Sequence, residues 1–248
     1  MIIQEANFID LPTPTGPMRT HRFCPAEGVW PAVILYSEIY QMTGPIRRLA
    51  ARLAGEGFEV LVPEVYHEYE ALGTVLSYDK EGTDRGNFLK FEKPVASFDT
   101  DALALINHLM ERPEHPWKKV GTLGFCLGGH LAFRAALDQR VSASACWYPT
   151  DIHSATLGAG KSDDTLARSG EIEAEVLLIW GRQDPHVPAE GRRNLYDALT
   201  EKGRSFQWHE FNAAHAFARD EGIRHDAAAT RIAWEMTLEL FKRKLFAL

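Results

Sequence analysis

Short strand-like apolar runs alternate with longer stretches of helical apolar spacing along nearly the whole chain, and this alternation most limits what the chain can fold into. Two opening strands at 2–9 and 18–23 flank the turn-rich Pro12-Thr13-Pro14-Thr15-Gly16-Pro17. Further strands are expected at 32–36, 58–62, 119–124, 141–147, 175–180 and 205–211. Between them fall helices at 44–53, 98–110, 128–137 and 190–202, and a closing helix spans 227–246. Gly44-Pro45 suits a helix start and Gly57 a stop, and Ala102, Leu105, Ile106 and Leu109 recur on one helical face. A strand, helix, strand succession crosses over right-handedly, so the pattern predicts a mostly parallel sheet of about eight strands with helices on both faces. In such sheets the site lies beyond the carboxyl ends of the strands. Two segments, 64–93 and 150–173, show no clear period and are expected to be irregular and to serve as pocket walls.

A chain of 248 residues, 45% hydrophobic and 25% charged, suits a globular fold, and it reads as one domain over 1–248. At this length roughly 75% of the unfolded surface is buried. The net charge of −7 argues against a nucleic-acid partner, which calls for a basic stripe. The N-terminus lacks the basic region of a signal peptide, and the longest apolar run, 31–36, is too short to enter a bilayer as a span. Cys24, Cys126 and Cys146 make an odd count without CxxC spacing, which fits reduced thiols and a cytoplasmic location. No cofactor motif is present. Glu64, His67, Glu68 and Glu70 match no metal-ligand spacing, so no metal is expected. The oligomeric state is left open, a monomer being the simplest expectation.

The chemistry enters at Gly121-Thr122-Leu123-Gly124-Phe125-Cys126-Leu127-Gly128-Gly129-His130, a G-x-C-x-G between a strand and a helix. A nucleophile on so sharp a turn has a strained backbone, and glycines on either side remove side chains that would strike the neighbouring strand and helix. Cys126 then stands at a helix N-terminus, where free N–H groups favour an anion. The N–H of Leu127 points where an oxyanion would form. Alone, this motif is weak, because cysteine is a common core residue.

Position strengthens it. The strand at 175–180 runs into Gly181-Arg182-Gln183-Asp184, and the strand at 205–211 into Asn212-Ala213-Ala214-His215. Nucleophile, acid and histidine therefore follow in the order used by α/β-hydrolases, each past the carboxyl end of its own strand. In that arrangement His215 takes the thiol proton and Asp184 fixes its tautomer. Singly, Asp184 is an ordinary turn residue and His215 one of ten histidines.

Leu35-Tyr36-Ser37-Glu38-Ile39-Tyr40, Gly124-Phe125-Cys126-Leu127-Gly128-Gly129, Gly181-Arg182-Gln183-Asp184-Pro185-His186-Val187-Pro188 and His215-Ala216-Phe217-Ala218-Arg219 together resemble the dienelactone hydrolase family (carboxymethylenebutenolidases). The resemblance covers nearly the whole chain. It implies an α/β-hydrolase fold, a second oxyanion N–H from Ile39, and a Glu38 that controls ionisation of the resting thiol. It also implies that Arg219 grips the substrate's carboxylate, with Arg85, in Asp84-Arg85-Gly86-Asn87, as the second arginine. Ala216 departs from relatives with a hydroxyl residue there. The expected substrate is a small anionic lactone or activated ester, whose good leaving group lets a thiolate attack productively. A broad carboxylesterase, a non-catalytic binding protein and a redox thiol protein are the competing readings.

Overall fold

The computed structural model describes residues 2–246 apart from 114, 115 and 117. Eight strands form one sheet: β1 (Ile3–Thr13), β2 (Gly16–Pro25), β3 (Ala32–Tyr36), β4 (Glu59–Pro63), β5 (Val120–Phe125), β6 (Val141–Trp147), β7 (Glu175–Gly181) and β8 (Phe206–Phe211). Their order across the sheet is β1-β2-β4-β3-β5-β6-β7-β8. The β1–β2 hairpin is antiparallel and joins β4 antiparallel, while every pairing from β4 to β8 is parallel. The principal helices are α1 (Gly44–Gly55), α2 (Lys80–Glu92), α3 (Val95–Met110), α4 (Leu127–Ala135), α5 (Thr165–Arg168), α6 (Ala189–Glu201) and α7 (Ala227–Leu245). This is the α/β-hydrolase architecture anticipated from the sequence.

Side-chain alternation explains the layering. Along β3, Ala32, Ile34 and Tyr36 enter a core with Leu105 and Leu109 of α3, Leu131 of α4 and Leu195 of α6. Val33 and Leu35 face the opposite core, with Ile46 and Leu53 of α1 and Trp234 and Phe241 of α7. β7 divides the same way, Val176, Leu178 and Trp180 against Leu177 and Ile179. Strands buried on both faces are mostly apolar, which is why they read as near-continuous runs. Each fully buried Leu or Ile stabilises the fold by roughly 1.5–3 kcal/mol. Among the described residues no helix is long and apolar enough to cross a membrane.

The expectation for 64–93 needs correction: α2 occupies its second half. Asp79 caps it by accepting from the Gly82 N–H at 2.8 Å. The helix was hidden because Leu89 is the one large apolar residue it fully buries, Phe88 is exposed, and two of its buried positions are Gly82 and Gly86. The segment 150–173 is likewise built of short turns, α5 and the 3₁₀ turns Ile152–Ser154, Ala159–Lys161 and Ser169–Glu171.

Lys93 fastens this region down. It lies between α2 and α3 with its side chain wholly buried, and its three N–H donors have three acceptors: Asp101 Oδ2 at 2.6 Å, Glu68 Oε1 at 2.9 Å and the Val65 carbonyl at 2.9 Å. Lys93→Met strands the buried Asp101 carboxylate without its cation. We expect a loss of about 3–5 kcal/mol, read as a lower urea midpoint at unchanged slope; an unaltered midpoint would show that the network contributes nothing to stability.

Candidate active site

Between β5 and α4 a single residue, Cys126, makes the turn, at φ 59° and ψ −119°. Left-handed backbone of this kind costs a non-glycine residue about 1–3 kcal/mol and persists only where surrounding structure imposes it. The imposing contacts are present. The Cys126 N–H donates to the Trp147 carbonyl at 3.0 Å, and the Cys126 carbonyl accepts from the Gly129 N–H at 3.0 Å. A Cβ on Gly124 would stand 1.8 Å from the Gly128 carbonyl oxygen, and one on Gly128 2.2 Å from the Tyr36 oxygen. The two glycines of G-x-C-x-G are therefore required by backbone packed against backbone.

The acid and the histidine are brought together by the ends of β7 and β8. Arg182 N–H donates to the Phe211 carbonyl at 2.8 Å and Gln183 N–H to Ala213 at 3.0 Å. Gly181 permits this approach, since its Cβ would lie 2.5 Å from the Ala213 oxygen. Asp184 Oδ2 then meets His215 Nδ1 at 2.6 Å, and its Oδ1 accepts from the His186 N–H at 2.8 Å. Both side chains are buried. Tyr148 stands edge-on to the imidazole at 5.1 Å between centroids and His186 at 4.6 Å.

With Nδ1 committed to Asp184, Nε2 is the ring nitrogen left to the Cys126 sulfur. Burial by itself pushes the imidazole toward its neutral form. The neighbouring sulfur and the Asp184 hydrogen bond outweigh it, and the His215 pKa rises to about 10. The sulfur and the imidazole line one cleft of about 370 Å³, together with Glu38, Ile39, Tyr78, Lys90 and Arg219. A groove of similar size, about 380 Å³, between the hairpin and α3 gathers Leu11, Leu103 and His108 but no nucleophile with its base and acid.

The remaining predicted residues fall as follows. Ile39 lines the cleft and Leu127 opens α4 just behind the sulfur. Among the described residues the N–H groups of both lack a protein acceptor. Glu38 is buried, 3.8 Å from Arg219 Nη1 and 3.4 Å from the Tyr78 hydroxyl. Burial pushes its pKa up against the opposing pull of Arg219, His215 and Tyr78. The Arg219 guanidinium lies over the Tyr78 ring at 4.3 Å.

Arg85 is the correction. Its Nε pairs with Glu70 Oε1 at 2.6 Å, its guanidinium lies toward Phe88, and it is absent from the cleft lining. On α2 it is Thr83, Asn87 and Lys90, spaced i, i+4, i+7, that face the cleft, and position 85 points elsewhere. Arg224, on the loop after His215, supplies a further guanidinium instead. Tyr78, Lys90, Asp151 and Arg224 escaped sequence reasoning; only a correct placement of α2 would have exposed the 83/87/90 stripe. The segment 150–173 contributes Thr150 and Asp151, and Asp151 holds Lys90 Nζ at 2.9 Å.

The acidic run at 64–70 disperses to separate partners. Glu64 bonds His21 Nε2 at 2.7 Å and the Gly73 N–H at 2.8 Å, and Glu70 holds Arg85. His67, Glu68 and Asp101 do bring three ligand atoms within 4.8 Å of one another. The Lys93 ammonium bonds both carboxylates of that group, the position a cation would take.

Comparison with known proteins bears on the family and the fold. The family model described as the dienelactone hydrolase family matches residues 18–245. A "Putative carboxymethylenebutenolidase" of Saccharomyces cerevisiae is 43% identical, the match covering 99% of this chain and 93% of that protein. The carboxymethylenebutenolidase of Pseudomonas sp. (strain P51) is 28% identical, over 92% of this chain and 91% of its own. The crystal structure of a "Putative Dienelactone Hydrolase" from Klebsiella pneumoniae superposes with a TM-score of 0.84, covering 98% of this chain and all of that one, and at 21% identity it speaks for the fold. With a family match across most of its length and a full-length relative above 40% identity, this chain is a hydrolase of the dienelactone hydrolase family.

Proposed function

We propose that the protein, acting as one domain, hydrolyses a small carboxylated lactone or activated ester through a thioester on Cys126. The observation that carries the reading is the joint placement of a strained thiol, an imidazole bonded to a buried carboxylate at 2.6 Å, and cationic side chains in one cleft. The raised His215 pKa favours an imidazolium beside the Cys126 sulfur.

The sulfur attacks the carbonyl carbon, and the electron pair moves to the carbonyl oxygen, which the N–H groups of Ile39 and Leu127 receive. Collapse breaks the carbon–oxygen bond of the ester or ring. The departing oxygen takes the proton from His215 Nε2. Water then gives its proton to that nitrogen as it attacks the thioester, a second oxyanion forms, and the thiolate leaves a free acid. Asp184 keeps the imidazole in one tautomer throughout. Glu38, held by Arg219 and Tyr78, governs ionisation of the empty site's thiol. Because a thiolate leaves more readily than an alkoxide, only an ester with a good leaving group proceeds forward efficiently. Arg219 and Arg224 select a carboxylate, with Lys90 adding positive charge.

The other thiols do not suit a redox cycle. Cys146 is fully buried, and burial pushes it up to about 12 despite the Ser144 hydroxyl at 3.3 Å. All three cysteines are free, consistent with a reducing cytoplasm.

Intact-mass measurement over a panel of lactones and esters should reveal an acyl adduct on Cys126. Cys126→Ser should lower turnover by at least about a hundredfold; near-normal turnover by that variant defeats the mechanism. Arg219→Met should raise KM for a carboxylated lactone by about ten- to a hundredfold and affect p-nitrophenyl acetate far less. Equal effects on both would mean a broad esterase that ignores the carboxylate. By imidazole NMR, His215 should titrate near 10, and Cys126→Ala should shift that value down because the sulfur is a principal cause of the rise. The sign follows for stability: the raised pKa stabilises the fold fully below the ordinary histidine value of 6.5, and the contribution fades as pH climbs toward 10. An unmoved titration in the alanine variant would separate His215 from the sulfur.

A further inference from the structure

Among the described residues neither the Ile39 N–H nor the Ile39 carbonyl makes a hydrogen bond, and the peptide that carries the N–H is held only at its far end, where the Glu38 carbonyl accepts from Ser37 Oγ at 3.1 Å. The residues that follow are better anchored. Tyr40 hydroxyl meets Thr83 Oγ1 at 2.9 Å, and the Tyr40 carbonyl accepts from the Leu76 N–H at 3.1 Å. Gln41, in left-handed backbone at φ 63°, donates from Nε2 to the Thr74 carbonyl at 3.0 Å and accepts from the Tyr66 N–H at 3.2 Å. Ile39 lies between this anchored stretch and Glu38, and what presses on it is α2.

The contact is at Gly86. A Cβ there would stand 2.5 Å from the Ile39 carbonyl oxygen, 3.0 Å from its Cβ and 3.1 Å from its Cγ1. No flexible side-chain tip is involved at the nearest point, so either the helix or the Ile39–Tyr40 peptide would have to move, and with it the Ile39 Cα from which the N–H projects. Gly86 sits inside a helix with no left-handed φ, so it is not there for backbone freedom. Glycine weakens a helix interior. The tyrosine hydroxyl of Tyr66, a fully buried side chain, donates to the Gly86 carbonyl at 3.1 Å and holds the helix at this height over the loop.

We propose that Gly86 is a positioning residue for the oxyanion donor: by letting α2 rest directly on Ile39, it sets where the Ile39 N–H points. The proposal rests on the thioester reading above and extends it to a helix that supplies no reacting atom at this position. It accounts for a glycine in a helix that gains nothing from one, and it gives α2 a role besides walling the cleft with Thr83, Asn87 and Lys90.

The test separates carbonyl chemistry from thiol reactivity. Alkylation of Cys126 by iodoacetamide is displacement at a tetrahedral carbon and forms no oxyanion, whereas ester hydrolysis does. For Gly86→Ala we expect kcat on a lactone or p-nitrophenyl ester to fall about ten- to a hundredfold, the scale of a small misplacement of a reacting group, with KM within about threefold. The iodoacetamide rate should stay within about twofold of wild type. Tyr66→Phe removes the hydroxyl that holds Gly86 without adding an atom, and should give a smaller fall of kcat, about threefold, with the same unchanged alkylation. It carries the test if Gly86→Ala does not fold. Full kcat in a folded variant, or alkylation falling in step with kcat, overturns the positioning role. Absence of an acyl adduct on wild-type Cys126 would instead sink the thioester reading and leave the Gly86 contact unexplained by catalysis.

Discussion

Between Phe125 and Leu127 the backbone passes from strand to helix in one residue, and the cleft is organised around that point. Cys126 is held at φ 59° by its N–H on Trp147 and its carbonyl on Gly129, while Gly124 and Gly128 allow backbone to meet backbone with nothing between. Ordinary side chains at either glycine would push α4 away from β5 and from the end of β3. The strain is local, but the contacts imposing it come from β3, β6 and α4, so the thiol's position is a property of the whole sheet centre.

The same tight docking recurs where each remaining group joins. Gly181 brings the ends of β7 and β8 together, so that Asp184 and His215 share a hydrogen bond; Gly86 brings α2 down onto Ile39. The cleft that results is electrostatically mixed. Glu38 and Asp151 each face a cation, Arg219 and Lys90, while Arg224 adds a further positive group. In a partly dry cleft such charges would act strongly on a bound anion, while the sulfur and Asp184 raise the pKa of the buried imidazole.

How much of this was legible varies by residue. β3 and β6 were placed at their observed limits and the other parallel strands to within a residue, because most of them are buried on both faces and few polar residues interrupt their apolar runs. Cys126, Asp184 and His215 were readable because each follows a strand end, and chain order plus strand ends suffices to predict convergence. Arg85 misled because, without α2, the direction of a side chain in 64–93 could not be known. One residue's rotation on a helix is about 100°, enough to turn position 85 to Glu70 while 83, 87 and 90 line the cleft. α2 itself was obscure because its inward face is mostly glycine and polar groups, which carry no apolar period.

The amino-acid order alone determined the sheet, its covering helices, the elbow and the three residues set at the carboxyl ends of β5, β7 and β8, since these depend on local periodicity and on glycines whose absence of a side chain is itself the signal. Tertiary structure alone decided which further polar groups enter the cleft: Tyr78, Lys90, Asp151 and Arg224 rather than Arg85. That choice depends on how irregular segments pack on one another, through single contacts such as Lys93 with Asp101 and Gly86 with Ile39, and contacts between residues far apart in the chain leave no periodic trace in it.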